Sequence, residues 1–491
     1  MKESIFSRMI RSYFTILLII LTVGSNIGIA ASRPNIVVLM TDDQDIRSME
    51  VMTRVQAIAP NATIFSNNFV SNPLCCPSRA TFLTGQYAHN HGVMSNTPPD
   101  GGYKKLDHSN TLPVWLQKAG YYTAHIGKYL NGYGYQDTNP NDDIPAEKEI
   151  PAGWNEWYGM LNYSYYNYNL NENGNIVFYG DDADNYQTDV YARKAIDFIQ
   201  KRSSDSTPFF LSIAFLSPHD DTSIPPGPEP AKRHKGVFNN KPLPQPPSFN
   251  EADMSDKPFF MQALPLMDSD VIETITVSYR RQHESLLAVD ESVEKIINTL
   301  NDTGKLNNTV LIFTSDNGFF HGEHRKPSEK ELLYEEAIRV PLIIYIPGLS
   351  HGQTINKLVA NIDLAPTIVE LAGASTERVM DGLSLLPLFT GHVNWRTSIL
   401  IEGKETIVKW EDGKWQERYA AVRTDRYIYG EHFYGLVKEF YDLYRDPYQL
   451  RSLHNSPSPA HQQIIRELKQ RLAILGTCSG TNCNQFSSSE P

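Results

Sequence analysis

Apolar positions along the chain fall into two patterns. Asn35 to Thr41 (NIVVLMT), Pro208 to Leu216 (PFFLSIAFL), Thr309 to Thr314 (TVLIFT) and Val340 to Ile346 are unbroken runs of strand length. Such runs are the mark of strands covered on both faces, as in a mainly parallel sheet. Tyr121 to Ile126 reads as another strand, after a helix over Leu112 to Ala119 that Gly120 stops. Elsewhere apolar residues recur at helical spacing: Asp189 to Lys201, the single face Leu286, Val289, Val293, Ile296 and Leu300, and Asp363 to Leu371 with its stop at Gly373. Strands alternating with helices predict a wound α/β domain with a large central, mainly parallel mixed sheet flanked by helices. Ligands bind such sheets beyond the carboxyl ends of the strands. Three of these ends carry polar groups: Asp42-Asp43, Ser217-Pro218-His219 and Asp316-Asn317.

Past Leu386 the pattern changes to short strands (Ser398 to Glu402, Tyr419 to Arg423, Arg426 to Gly430) and an amphipathic helix at Ala460 to Ile474. This predicts a smaller C-terminal antiparallel sheet plus helix. Pro225 to Pro265 is proline-rich and irregular, and Trp154 to Tyr191 is crowded with Tyr and Asn. At the other end, Lys2, Arg8 and Arg11 precede an apolar run from Phe14 to Val23, and small residues follow at Gly28, Ala30 and Ala31. That order is a secretory signal peptide, and the run is short for a bilayer span. The expected layout is a signal peptide over 1–31, a catalytic α/β domain over 32–390 and an α+β subdomain with a tail over 391–491. The mature protein is expected to be exported (secreted, periplasmic or lysosomal) without a stable membrane span.

Composition narrows the chemistry. Over 491 residues, 44 Lys plus Arg face 56 Asp plus Glu, a net charge of −12. An acidic surface argues against nucleic acid as a partner, so an anionic substrate has to be captured by a local pocket. The four cysteines form two pairs. Cys478 and Cys483 flank a short loop and, in an exported protein, are expected to be disulfide-bonded. Cys75 and Cys76 are adjacent, which disfavours a bond between them. Two unpaired thiols side by side in an exported protein call for a chemical reason.

The segment Cys75-Cys76-Pro77-Ser78-Arg79, followed by TFLTG, resembles the C-x-P-S-R signature of the formylglycine-dependent sulfatases of the alkaline phosphatase superfamily. The resemblance implies that a maturation enzyme, the formylglycine-generating enzyme, oxidises Cys75 to formylglycine (3-oxoalanine). The hydrated aldehyde is then a geminal diol. A serine nucleophile would leave a sulfate ester as stable as the substrate, whereas the diol's second hydroxyl lets the adduct collapse and expel sulfate. A hard divalent cation with oxygen ligands neutralises the ester and the nucleophile together. The resemblance implies calcium rather than magnesium, held by Asp42, Asp43, Asp316, Asn317 and residue 75. It further assigns Arg79 to the diol, and Lys128, His219 and Lys330 to the sulfate and leaving group, as catalytic and substrate-binding residues.

Two positions depart from the family pattern. Many sulfatases have a histidine two places after the lysine of the G-K segment, where this chain has Leu130. His324, in HGEH after the Asp-Asn-Gly turn, is a candidate to replace it near the sulfate. LCCPSR, His89-Asn90-His91, GKYLN and the aromatic run NYSYYNYN resemble the N-acetylglucosamine-6-sulfatases. The implied substrate is a 6-O-sulfated N-acetylglucosamine or a related sulfated glycan such as a glycosaminoglycan. The competing readings are an arylsulfatase, a phosphate or phosphonate ester hydrolase on the same scaffold, and a non-catalytic glycan-binding protein.

Overall fold

In the computed structural model, which describes residues 33–138, 144–221, 225–391, 393–410 and 413–486, ten strands form one mixed sheet. Across it run Gln353–Ile355, Thr63–Phe65, Leu342–Tyr345, Thr309–Ser315, Asn35–Thr41, Phe209–Ala214, Tyr122–Gly127, Glu156–Met160, Tyr168–Glu172 and Asn175–Tyr179. The five strands from Thr309–Ser315 through Glu156–Met160 are parallel to one another. Antiparallel pairs flank them on both sides. The proposed signal peptide, 1–31, lies outside the described residues.

The unbroken apolar runs are explained by two cores. Ile36, Val38 and Met40 pack with Phe82, Leu83, Trp115 and Ile368 on one face. Val37 and Leu39 pack with Phe198, Val289, Val293 and Ile296 on the other. Alternate side chains of a strand point to opposite faces, so a strand with both faces covered needs apolar residues at every position.

Several elements run beyond what the pattern predicts. The helix bearing Leu286 and Leu300 spans Ser269–Asp302, and its Asp268 cap accepts from the amides of Asp270 and Val271. The Tyr- and Asn-rich stretch contributes three strands to the sheet. The C-terminal sheet has four antiparallel strands, Ile399–Trp410, Gly413–Arg423, Tyr427–His432 and Val437–Asp442, the last of them missed by the pattern. Helix Pro459–Leu475 lays Leu468, Leu472 and Leu475 on this sheet's core. Cys478 and Cys483 are bonded, while Cys75 and Cys76 are free and buried. From Pro34 onward the chain is one compact unit. Among the described residues no helix is long and apolar enough to cross a membrane.

Candidate active site

Three neighbouring strands end together, laced by backbone bonds. The Asp316 amide donates to the Thr41 carbonyl at 3.1 Å, and the Asp42 amide to the Ser217 carbonyl at 3.2 Å. Asp43 adopts φ +64°, the left-handed region, at a turn that brings two successive carboxylates to one place. Its amide donates to Asp316 Oδ1 at 3.2 Å. Oxygens of Asp42, Asp43 and Asp316 lie within 4.8 Å of one another, all three residues buried. Asn317 donates its Nδ2 to Asp43 Oδ1 at 2.6 Å and to the Gly318 carbonyl at 2.9 Å. Its Oδ1 is buried without a partner.

The helix Cys75–Thr84 opens at Cys75, has all ten residues buried, and is closed by Gly85 at φ +66°. Cys75 therefore stands at the positive end of the helix dipole. Its Sγ is 3.5 Å from Asp42 Oδ1 and 4.0 Å from Asp43 Oδ1. One turn on, Arg79 donates from Nε to Asp316 Oδ2 at 2.8 Å and from Nη1 to the Lys128 carbonyl at 2.9 Å. Cys76 instead joins the apolar core.

Gly127 leads into Lys128 at φ +107°, where a Cβ would stand 2.0 Å from the Ala214 carbonyl oxygen. That close approach lets Lys128 turn into the site, where its Nζ pairs with Asp42. Lys330 Nζ donates to Asp43 Oδ2 at 2.8 Å. His219 donates from Nδ1 to the Asp220 carbonyl at 2.5 Å, which leaves Nε2 facing Asp43 Oδ2 at 3.8 Å. Tyr165 steadies this histidine by donating to its carbonyl at 2.8 Å. The Tyr163 ring lies 5.0 Å from Lys128 Nζ and 5.5 Å from the His219 ring. In the sequence these tyrosines stand out only as part of the aromatic run NYSYYNYN, because nothing local ties residue 165 to residue 219.

Burial, then the neighbouring Asp42 carboxylate, pushes Asp316 up to about 6. Burial works against ionisation of Asp43 too, yet Lys330, His219 and Lys128 together hold it well below the usual carboxylate range. Burial, reinforced by Lys128, pushes His219 down to about 4, so at neutral pH its Nε2 carries a lone pair. Burial raises the Cys75 thiol far above its ordinary value, which makes an unmodified thiol a poor nucleophile. Crowded carboxylates, an orphaned amide oxygen and an all-oxygen donor set fit a hard divalent cation.

The structure thus brings together Asp42, Asp43, Cys75, Arg79, Lys128, His219, Asp316, Asn317 and Lys330. His324 is placed differently. Its Nδ1 bonds Glu251 Oε2 at 2.7 Å and its ring stacks on Tyr334, with centroids 4.2 Å apart. Leu130, at the departure from the family pattern, is buried in the core.

Residues 34–374 match the family model "Sulfatase", and residues 322–477 match the model "N-sulphoglucosamine sulphohydrolase, C-terminal". Human N-acetylglucosamine-6-sulfatase is 34% identical over 95% of this chain and 89% of its own length. A solved structure of a protein in complex with its substrate D-glucosamine-2-N,6-O-disulfate superposes with TM-score 0.73 at 26% identity, covering 90% of this chain and 97% of that one. The phosphonate monoester hydrolase of Agrobacterium radiobacter shares the fold, with TM-score 0.70 at 21% identity over 92% of this chain and 97% of its own. Signature, strand-end carboxylates and full-length similarity agree, and the chain belongs to the sulfatase family.

Proposed function

We propose that this sulfatase removes a 6-O-sulfate from N-acetylglucosamine or a closely related sugar, with formylglycine at position 75 and one calcium ion. The observation that carries the reading is the placing of Cys75, at a helix start, against the Asp42 and Asp43 carboxylates and beside the unpartnered Asn317 oxygen. A calcium ion held by Asp42, Asp43, Asp316, Asn317 and residue 75 would supply charge neutralisation for ester and nucleophile. The formylglycine would supply a hydroxyl nucleophile with a built-in route for releasing sulfate.

The chain's own groups do the rest. Arg79 fixes Asp316 and, through the Lys128 carbonyl, the turn that carries Lys128. Lys128 and Lys330 are the cations available to sulfate oxygens. His219 is held by its Nδ1 bond with Nε2 toward Asp43, and once Nε2 has taken up a proton it can give that proton to the bridging oxygen of the leaving group. Cys75 is 1% exposed, so the maturation enzyme has to reach it before the chain folds. Export through residues 1–31 belongs to the same proposal and agrees with the Cys478–Cys483 bond.

Peptide mass spectrometry of the segment around residue 75 from native material, with kinetics on 6-, 4-, 3- and 2-O-sulfated monosaccharides, tests the reading. The expected results are an aldehyde in place of the thiol, highest kcat/KM on the 6-sulfate, and no turnover by Cys75→Ala. An unmodified thiol in active protein would overturn the formylglycine assignment. Equal kcat/KM on matched phosphate esters would overturn the preference for sulfate.

A further inference from the structure

A cavity of about 410 Å³ has Asp220, Asp270, Thr274, Ser278, Pro327 and Ser328 in its wall. Its wall adjoins the candidate site along the chain. Asp220 follows His219, Ser328 precedes Lys330 by two positions, and the Asp220 carboxyl lies within electrostatic reach of both Asp43 and Lys330. The volume falls in the range that holds a small ligand such as a sugar ring.

Part of the wall is apolar, with Val271 and Ile275 in it, and its charged groups are of one sign. Two carboxylates, Asp220 and Asp270, stand with the hydroxyls of Thr274, Ser278 and Ser328, and among the described residues none lining the cavity is a lysine or arginine. The partners of Asp220 Oδ1 are distant: Ser278 Oγ at 3.5 Å and Gln282 Nε2 at 3.4 Å. Contacts of that length leave the oxygen with accepting capacity for a hydroxyl or an ammonium group. The cations of the site, Lys128, Lys330 and Arg79, are instead drawn in around Asp42, Asp43 and Asp316. One sulfate is provided for there, and a second anion entering the cavity would meet carboxylates.

We propose that this cavity takes the ring of the sulfated sugar and makes the enzyme selective for sugars whose other substituents are neutral or cationic, rejecting a second sulfate through Asp220 and Asp270. The inference rests on the glucosamine 6-sulfate reading above and adds the charge rule. Like charges facing each other in a partly desolvated pocket lower affinity for the wrong substrate more than they raise it for the right one.

The test compares kcat/KM of the matured enzyme on glucosamine 6-sulfate, N-acetylglucosamine 6-sulfate and glucosamine 2-N,6-O-disulfate. Both monosulfates are expected to exceed the disulfate by about tenfold or more. In Asp220→Asn and in Asp270→Asn the gap narrows, through a lower KM for the disulfate with little change in its kcat. Added salt narrows it in the wild type by screening the same repulsion. A merely structural role for either aspartate would not move charge selectivity in this direction, and Asp270 is exposed, so its variant is available even if Asp220→Asn misfolds. Hydrolysis of the disulfate as efficiently as the monosulfates, or a gap indifferent to both variants, overturns the charge rule and leaves the 6-sulfatase reading standing. Hydrolysis of none of the three overturns that reading and this inference with it.

Discussion

Asn317 spends its side-chain nitrogen on Asp43 and Gly318 and leaves its oxygen buried and unshared. A buried acceptor without a donor is costly unless something binds it. Asn317→Ala is therefore expected to weaken calcium binding by about tenfold or more, read by calorimetric titration of metal-depleted protein. Unchanged affinity would remove Asn317 from the ligand set. The two histidines separate in the same manner. His219→Ala should lower kcat by about 10²–10⁴-fold, the range for losing a positioned acid–base group. For His324, tied to Glu251 and Tyr334, the measurement is burst and steady-state turnover of His324→Ala, and unaltered rates would end its candidacy. At this scale the sequence is most legible where residue type is dictated by reactivity, as at Cys75, Asp42 and Asp316. Tyr163 and Tyr165 were not legible, because their place beside Lys128 and His219 arises from strands meeting far apart in the chain.

Strands with both faces covered are readable as unbroken apolar runs, and strands at the edge are not. Asn175–Tyr179 is largely exposed although Ile176, Val177 and Phe178 are apolar, and a run of three residues inside a Tyr- and Asn-rich stretch is too short to mark a strand by itself. The long helix shows the same effect, since exposed positions dominate its first turns and its apolar face becomes regular only near Leu286. Other elements depend on buried ion pairs. Asp363 accepts from Arg396, with both side chains wholly buried, and from the amides of Ala360 and Leu383 at 2.8 Å each. Asp363→Ala leaves the buried guanidinium without a carboxylate, with the Leu358 carbonyl and Asn484 Oδ1 still accepting from it, and should cost about 3–5 kcal/mol, measurable by denaturant unfolding. A loss below about 1 kcal/mol would mean that water or another acceptor reaches Arg396.

Across the whole molecule, the C-terminal sheet and tail brace the segment just after the signature helix. His89 donates from Nδ1 to Glu402 at 3.0 Å and from Nε2 to the Cys478 carbonyl at 2.9 Å. Both partners are acceptors, so the imidazole satisfies them only when doubly protonated. Burial opposes that charge, but the Glu402 bond and charge outweigh it and bring His89 up to about 9. A folded value above the ordinary 6.5 means the stabilisation is fully present below about pH 6.5 and is lost as pH rises through about 9. The Tm difference between wild type and His89→Ala should accordingly be largest near pH 6 and shrink toward pH 9.5. A difference independent of pH would show that the contact does not depend on the charge.

The central strands, the signature with its two adjacent cysteines and the acidic strand ends are legible in the chain alone, because burial on both faces restricts residue type in the strands and the signature's spacing carries the family resemblance. The folded chain alone shows which of those groups meet, that Lys128 and Lys330 lie on Asp42 and Asp43, that His324 turns to Glu251, and that a cavity bearing two carboxylates opens at Asp220. Those outcomes depend on distances between residues remote along the chain, which local periodicity does not encode.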